Sequence, residues 1–363
     1  MRIAFVSEFD ASDVRSWSGT PYYMKKVYQK LFDKVECIQT PFYHQMRGTA
    51  ESRLKEIGGF VSDRLKDSDA DIVVCQGTSA IPFLDCIKPI VYWHDSTWFA
   101  LSRKDFRTFC RTSPDLKSWD EKALNNCSLA VFASDWVARG VLKNYKILPS
   151  KVYVLPFGGN FEDDRTVDRI KDFLDMRPRD CCNLTFIGVD WNKKGLPLAV
   201  ELTEHLNEQL VLKSRLTIIG CNPPHPSIRN SSFVTLEGFL DKRNPRAVRR
   251  FKDILGETHF LVHPASFECF GCALVEANSF GIPVIATNVE GIPTIVRNDT
   301  NGKLFSHDNF VEGAADFIQA NISHFTERYC ALSLSSFNEY KMRLSWDVNG
   351  AKFKDLICKL AKS

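Results

Sequence analysis

The sequence predicts an α/β protein of two doubly wound domains, each built on a parallel sheet. Short apolar runs alternate with longer amphipathic stretches, the rhythm of βαβ units. That rhythm breaks once, over residues 156–179, and then restarts. A length of 363 residues suits two domains of ordinary size.

In the first series, strands are expected at 2–7, 35–39, 71–75, 89–93, 129–133 and 151–155, each followed by a loop and a helical pattern. Residues 22–32 place Tyr23, Val27, Lys30 and Leu31 at helical spacing, and 116–126 and 135–144 read similarly. Ser134-Asp135 ahead of Trp136-Val137 is a helix-start signal. Gly158-Gly159-Asn160, Asp163-Asp164, a charged amphipathic segment and Pro178 then mark a passage between domains. The second series has strands at 184–188, 215–219, 234–236, 259–263 and 283–287, with helices at 196–207, 246–255 and 272–280. Residues 311–325, 327–340 and 346–362 read as helix. There is no short tandem repeat and no low-complexity tract. The expected division is therefore 1–160, a linker 161–180, a second domain 181–335 and closing helices 336–363. Two doubly wound sheets imply a ligand cleft at the carboxyl ends of their strands.

Composition excludes several classes. Hydrophobic residues at 44%, aromatics at 12% and charged residues at 25% rule out disorder, collagen and coiled coil. With 47 Lys and Arg against 44 Asp and Glu, the net charge is +3, too small a field for nucleic acid as main partner. Any bound anion must be met by a few local charges. The opening Met1-Arg2-Ile3-Ala4-Phe5-Val6 resembles a core strand and lacks the zones of a signal peptide. No window approaches the ~20 uninterrupted apolar residues of a spanning helix. The expected location is cytoplasmic. The 12 cysteines lie scattered through apolar stretches such as Ile72-Val73-Val74-Cys75, where cysteine behaves as a small buried hydrophobe and stays reduced.

The most informative stretch is His263-Pro264-Ala265-Ser266-Phe267-Glu268-Cys269-Phe270-Gly271-Cys272-Ala273-Leu274-Val275-Glu276-Ala277, followed by Asn278-Ser279-Phe280-Gly281-Ile282-Pro283-Val284-Ile285-Ala286. A strand ends in a loop bearing a carboxylate, Gly271 lets backbone approach a ligand, and a helix opens whose free amides can hold phosphate. Glu276, in the first turns of that helix, can accept hydrogen bonds from two vicinal hydroxyls, the usual reason for a carboxylate beside a ribose.

Glu268 to Gly271, the pair Glu276-Ala277 and the run Gly281 to Ala286 together resemble the Glu-x7-Glu motif of family 4 glycosyltransferases, retaining enzymes of the GT-B fold. The resemblance extends over nearly the whole chain. Ser16-Trp17-Ser18-Gly19-Thr20-Pro21 looks like the family's glycine loop facing the donor phosphate, with a plain tight turn at Gly19 as the alternative. Trp93-His94-Asp95 resembles its His site beside the transferred sugar. Ser134 to Val137, Val154 to Asn160, Gly291-Ile292-Pro293, Asn301 to Leu304 and Trp346 are also similar.

Phe186 to Gly195 is by resemblance the donor-phosphate loop. Lys194 keeps the family's lysine, but Val189 stands where most relatives have an arginine and the loop is about one residue shorter. Lys193 or a cation from elsewhere substitutes, or Lys193 faces solvent. The resemblance implies a nucleotide-sugar donor, UDP-sugar favoured with GDP-mannose next, and an acceptor hydroxyl on a glycan, lipid or small molecule. It places Glu276 on the ribose, Lys194 and the amides of Phe270, Gly271, Cys272 and Ala273 on the diphosphate, and Glu268 on sugar hydroxyls. Backbone around Gly238, Phe239 and Leu240 reads the base. The acceptor is expected at variable first-domain loops such as 40–50 and 98–114, where Trp98, Phe99, Phe106 and Phe109 either stack on sugar or lipid or belong to the core.

No required metal or other cofactor is expected. Cys269-x-x-Cys272 has zinc or redox spacing but lacks two further ligands, and Asp163-Asp164 reads as solvated charge. The basic faces Arg246, Arg249, Arg250, Lys252 and Lys25, Lys26, Lys30 are wet surface or, alternatively, contacts to anionic lipid at the inner face of the membrane. Two rival functions stand beside the transferase. One is a non-catalytic binder of sugar nucleotides or carbohydrates; the other is a dinucleotide-dependent oxidoreductase, for which neither half supplies a Gly-x-Gly-x-x-Gly turn.

Overall fold

The computed structural model describes residues 1–42, 45, 49–97, 100, 116–162, 164–208, 210, 212–223, 225–323 and 325–360. Asp163, part of loop 40–50 and loop 98–114 apart from Ala100 thus lie outside the described residues, Trp98, Phe99, Phe106 and Phe109 among them. The chain forms two compact units, Met1–Phe157 with Trp346–Ser363, and Gly158–Ser345.

Unit 1 carries a parallel sheet of β1 (Arg2–Ser7), β2 (Lys34–Gln39), β3 (Ile72–Gln76), β4 (Ile90–His94), β5 (Leu129–Phe132) and β6 (Val152–Val154), ordered β2-β1-β3-β4-β5-β6. All five residues of β3 are buried, as a strand covered on both faces requires. Among the described residues the longer connecting helices are α1 (Thr20–Leu31), α2 (Ala50–Lys66), α3 (Leu116–Asn126) and α4 (Asp135–Asn144). The strand and helix centres match the sequence reading closely. Helix α2 was not singled out there, yet Thr49 caps it by accepting from the Ser52 N–H, and Leu54, Ile57, Val61 and Leu65 form its buried stripe. The C-terminal helix Trp346–Leu360 packs in this unit, with Phe353 stacked on Trp93 at 4.5 Å.

Unit 2 repeats the plan with β7 (Cys182–Ile187), β8 (Ser214–Ile219), β9 (Val234–Gly238), β10 (Phe260–His263), β11 (Val284–Thr287) and β12 (Gly302–Phe305), ordered β12-β11-β10-β7-β8-β9 and parallel throughout. Strand β12 escapes the sequence reading because Gly-Lys-Leu-Phe is short and half-exposed, an edge strand recognisable only by its pairing with β11. The longer helices are α5 (Val167–Met176), α6 (Leu196–Glu208), α7 (Pro245–Glu257), α8 (Cys272–Asn278), α9 (Phe310–Ile322) and α10 (Cys330–Glu339).

Residues 161–180, read from the sequence as a linker, belong to this unit. Helix α5 buries Ile170, Phe173 and Leu174, and the guanidinium of Arg177 donates to the carbonyls of Gly256, Phe280 and Gly281. Of residues 336–363, read as one set of closing helices, the part up to Ser345 stays with unit 2 and only Trp346 onward joins unit 1. An amphipathic segment does not announce in sequence which core it will cover.

Candidate functional site

In unit 2 the two loops that matter leave neighbouring strands. Strand β10 pairs with β7 through Leu261 and Thr185, so loops 188–195 and 264–271 emerge side by side at their carboxyl ends. They are joined by the Ser266 N–H, which donates to the Lys193 carbonyl at 3.0 Å. Gly195 is required at this junction: its φ is +78° and a Cβ there would lie 2.0 Å from the Pro264 carbonyl oxygen. Loop 264–271 is held from its other side by the Gly291 N–H, bonded to the Glu268 carbonyl at 2.9 Å.

This framing brings Lys194 and Glu268 together as an ion pair, Nζ to Oε2, with side-chain exposures of only 23% and 13%. His263, at the end of β10, sets Nε2 3.0 Å from the same oxygen. Burial pushes the imidazole below its ordinary pKa, and Glu268 only partly opposes this, so the ring is neutral. Its Nε2–H therefore donates to Glu268, and the other nitrogen, Nδ1, is a buried acceptor without a hydrogen-bond partner among the described residues. Burial works against the charged form of Glu268, but Lys194 and His263 outweigh it and bring the carboxyl down to about 2. Burial also acts against the Lys194 ammonium, and Glu268 more than restores it, leaving its pKa raised. The pair is charged across the neutral range, so it offers a carboxylate for hydroxyl groups and an ammonium for an anion.

Glu276 faces a different cation. In α8 its Oε1 accepts from Lys242 Nζ at 2.7 Å, and the backbone N–H of Asn160 also bonds to its carboxylate. Lys242, in the loop between β9 and α7, donates in addition to the Asn160 carbonyl at 2.9 Å. Burial raises the pKa of Glu276, and Lys242 is the largest of the opposing influences.

The remaining expected donor residues fall around these two pairs. Lys193 lays its ammonium 5.0 Å from the centre of the Phe267 ring. Phe270 is buried, Gly271 has φ +105° at the N-cap of α8, and Cys272 and Ala273 are the half-buried opening residues of that helix. Gly238 ends β9 with φ +65° and accepts at its carbonyl from the Gly220 N–H at 2.7 Å; Leu240 is half-buried. Val189, at the position where an arginine was expected, is 68% exposed.

In unit 1, Gly19 has φ +88° and caps α1, following Trp17 and Ser18 at φ +42° and +59°. This turn stacks the Trp17 ring on the His94 imidazole, centroids 4.5 Å apart and 17° from parallel. The Ser96 N–H donates to His94 Nδ1 at 3.1 Å, which makes Nδ1 the acceptor and leaves the ring proton on Nε2. Asp95 Oδ1 lies 3.2 Å from the same nitrogen.

Four residues at these sites were not assigned roles from the sequence: His263, Lys242, Asn160 and Trp17. His263 and Asn160 sit inside stretches already singled out, whereas a lysine in a loop 34 residues before its glutamate carries no sequence signal. Among the described residues no group of three or more His, Cys, Asp or Glu side chains is placed to hold a metal ion. The described cysteines, Cys269 and Cys272 included, are free thiols. No described helix is long and apolar enough to cross a membrane.

Residues 182–324 match the family model described as glycosyl transferases, group 1. No curated protein gives a significant match. Among solved structures, sucrose-phosphate synthase from Thermosynechococcus elongatus is similar at TM-score 0.75 and 15% identity, over 100% of both chains. Anabaena HepE in complex with UDP follows at 0.70 and 13%, covering 99% of this chain and 100% of that one. WaaG, a glycosyltransferase involved in lipopolysaccharide biosynthesis, is similar at 0.67 and 19%, over 98% and 99%. The fold is therefore GT-B, an α/β architecture with two parallel six-stranded sheets. Fold and matched segment together support a glycosyltransferase.

Proposed function

We propose that the chain is a retaining hexosyltransferase that moves a sugar from a nucleotide diphosphate sugar to an acceptor hydroxyl of a glycan, lipid or small molecule. The observation that carries this reading is the buried Lys194–Glu268 pair on the loops of β7 and β10, with Glu276 on the helix that follows, all within the segment matched by the family model. A UDP-sugar is the favoured donor, since Anabaena HepE is known with UDP and with UDP-glucose; GDP-mannose is the next candidate.

Glu276 would accept from the ribose hydroxyls, Lys194 and the amides of residues 270–273 would hold the diphosphate, and Glu268 would accept from hydroxyls of the sugar. The bond from the sugar's anomeric carbon to the diphosphate oxygen breaks, and the bond to the acceptor oxygen forms on the same face. The acceptor's proton passes to the departing phosphate, so no separate protein nucleophile is needed. Catalysis then rests on positioning and on stabilising the charge that develops on the leaving group. Lys194 supplies that charge directly, and Lys193, the nearest further cation in the same loop, is the candidate for the part an arginine at position 189 would play. His94 is assigned to the transferred sugar by resemblance, with its Nε2–H as donor. The reaction is proposed to need no metal and to take place in the cytoplasm, with the basic faces of α1 and α7 available to anionic lipid.

A non-catalytic sugar-nucleotide binder is the second reading, favoured by the absence of a cation at the exposed Val189. The deciding experiment offers a panel of UDP- and GDP-sugars with mixed hydroxyl acceptors, with and without EDTA, and reads product anomeric configuration by NMR. Transfer with retention, unaffected by EDTA, is the expected result. Nucleotide binding without any transfer would establish the binder reading, and binding of NAD in preference to UDP and GDP would replace both with an oxidoreductase.

A further inference from the structure

We propose that Lys242 is a positioning residue for the nucleoside, holding the Glu276 carboxylate so that two of its lone pairs remain for the vicinal hydroxyls of a ribose. The inference rests on the nucleotide-sugar reading above and adds to it a residue that neither sequence pattern nor matched family assigns.

The arrangement is a closed ring of hydrogen bonds. Lys242 Nζ donates to Glu276 Oε1 at 2.7 Å and to the Asn160 carbonyl at 2.9 Å, while the Asn160 N–H returns to the Glu276 carboxylate. Neither partner is free to turn: the side chains are 20% and 6% exposed, Asn160 is fully buried, and the ammonium lies 4.5 Å from the centre of the Phe161 ring and 5.8 Å from that of Phe251.

An ionised carboxylate offers about four lone-pair sites. Lys242 and Asn160 take two, and the two left over equal the donors of a vicinal diol. Burial already raises the pKa of this carboxyl and Lys242 is the largest influence opposing it, so loss of the cation favours the protonated form, which is part donor and ill suited to a diol. The alternative role for a lysine in a nucleotide site is to meet phosphate. Both hydrogen bonds of Lys242 run instead to Glu276 and Asn160, and the loop lysine Lys194 pairs with the other glutamate, Glu268.

The test is equilibrium binding of UDP and GDP, each against its 2′,3′-dideoxy form, to the full chain as wild type, Lys242→Met and Lys242→Arg. Wild type is expected to prefer the ribose form of its nucleotide by on the order of tenfold or more, because each hydroxyl bonds to a charged acceptor. In Lys242→Met the preference should drop below about threefold with the dideoxy affinity unchanged, and Lys242→Arg should restore part of it. Donor KM should rise in the methionine variant while kcat changes little. Lys242→Gln, which removes the charge and is one atom shorter but keeps an N–H donor, carries the same test should the methionine chain not fold. Full ribose preference in either folded variant overturns the proposal, as does an equal loss for both nucleotide forms, which would move Lys242 to the phosphates. A wild type that binds neither UDP nor GDP, or binds them without ribose preference, overturns the nucleotide reading itself.

Discussion

Replacing Lys194 with methionine removes the charge opposite Glu268 while keeping most of the side-chain volume. In the folded chain the Glu268 carboxyl titrates at about 2 against an ordinary 4.5. At about 1.36 kcal/mol per pH unit, that difference makes ionised Glu268 worth about 3 kcal/mol of folding stability. Both side chains are less than one-quarter exposed, so solvent does little to dilute this figure. Without Lys194 the carboxylate keeps one donor, the neutral His263, and loss of one partner from a buried pair typically costs about 3–5 kcal/mol. The variant should therefore lose about 3 kcal/mol near neutral pH. Because the folded value is depressed, the stabilisation is complete above the unfolded value of 4.5 and is lost as pH falls through about 2. At about pH 3.5 the wild type has already given up about 1 kcal/mol, so the gap between the two proteins should narrow by that amount. Urea unfolding followed by far-UV circular dichroism at about pH 7 and about pH 3.5 reads both quantities. A variant within about 0.5 kcal/mol of wild type near neutrality, or a gap that does not narrow on acidification, would refute the pairing as described. Turnover should fall by more than about tenfold in the same variant if Lys194 also meets the leaving diphosphate.

Glu276→Ala should raise donor KM by about ten- to a hundredfold, the scale of hydrogen bonds to a charged acceptor, as measured by initial rates over a donor titration. His94→Ala should lower transfer with little change in melting temperature, since its contacts in unit 1 are a stacked ring and a local loop hydrogen bond; full activity would leave it only a packing role. Gly195→Ala should lower the melting temperature and turnover together, because a Cβ would meet the Pro264 carbonyl oxygen at 2.0 Å and φ is +78°. Unchanged thermal unfolding of that variant would show that the two loops are not joined as described.

The legible part of this protein is the part written in local pattern. Strands such as β1 and β3 are continuous buried runs, and their period and spacing name them without knowledge of neighbours. Glu268 and Glu276 were also readable, because strand end, loop, glycine and helix start lie within one contiguous stretch. Less visible were elements whose identity depends on what covers them. Helix α5 looks like a charged passage until Ile170, Phe173 and Leu174 are seen buried, and β12 is a strand only because β11 pairs with it.

The sequence by itself therefore determined the α/β class, the two series of strands and the placement of Glu268 in a loop after a strand and of Glu276 in the helix that follows, since hydrophobic periodicity and short-range spacing are properties of the chain. It also located Lys194 but could not name its partner. The tertiary structure decided the pairing: Glu268 goes with Lys194 and His263, and Glu276 with Lys242 and Asn160. Those contacts join residues up to 116 positions apart, Asn160 to Glu276 being the longest. The charge state of a buried carboxylate is set by its burial against the cations and donors near it in space, and only the folded sheet with its adjoining loops brings those within reach.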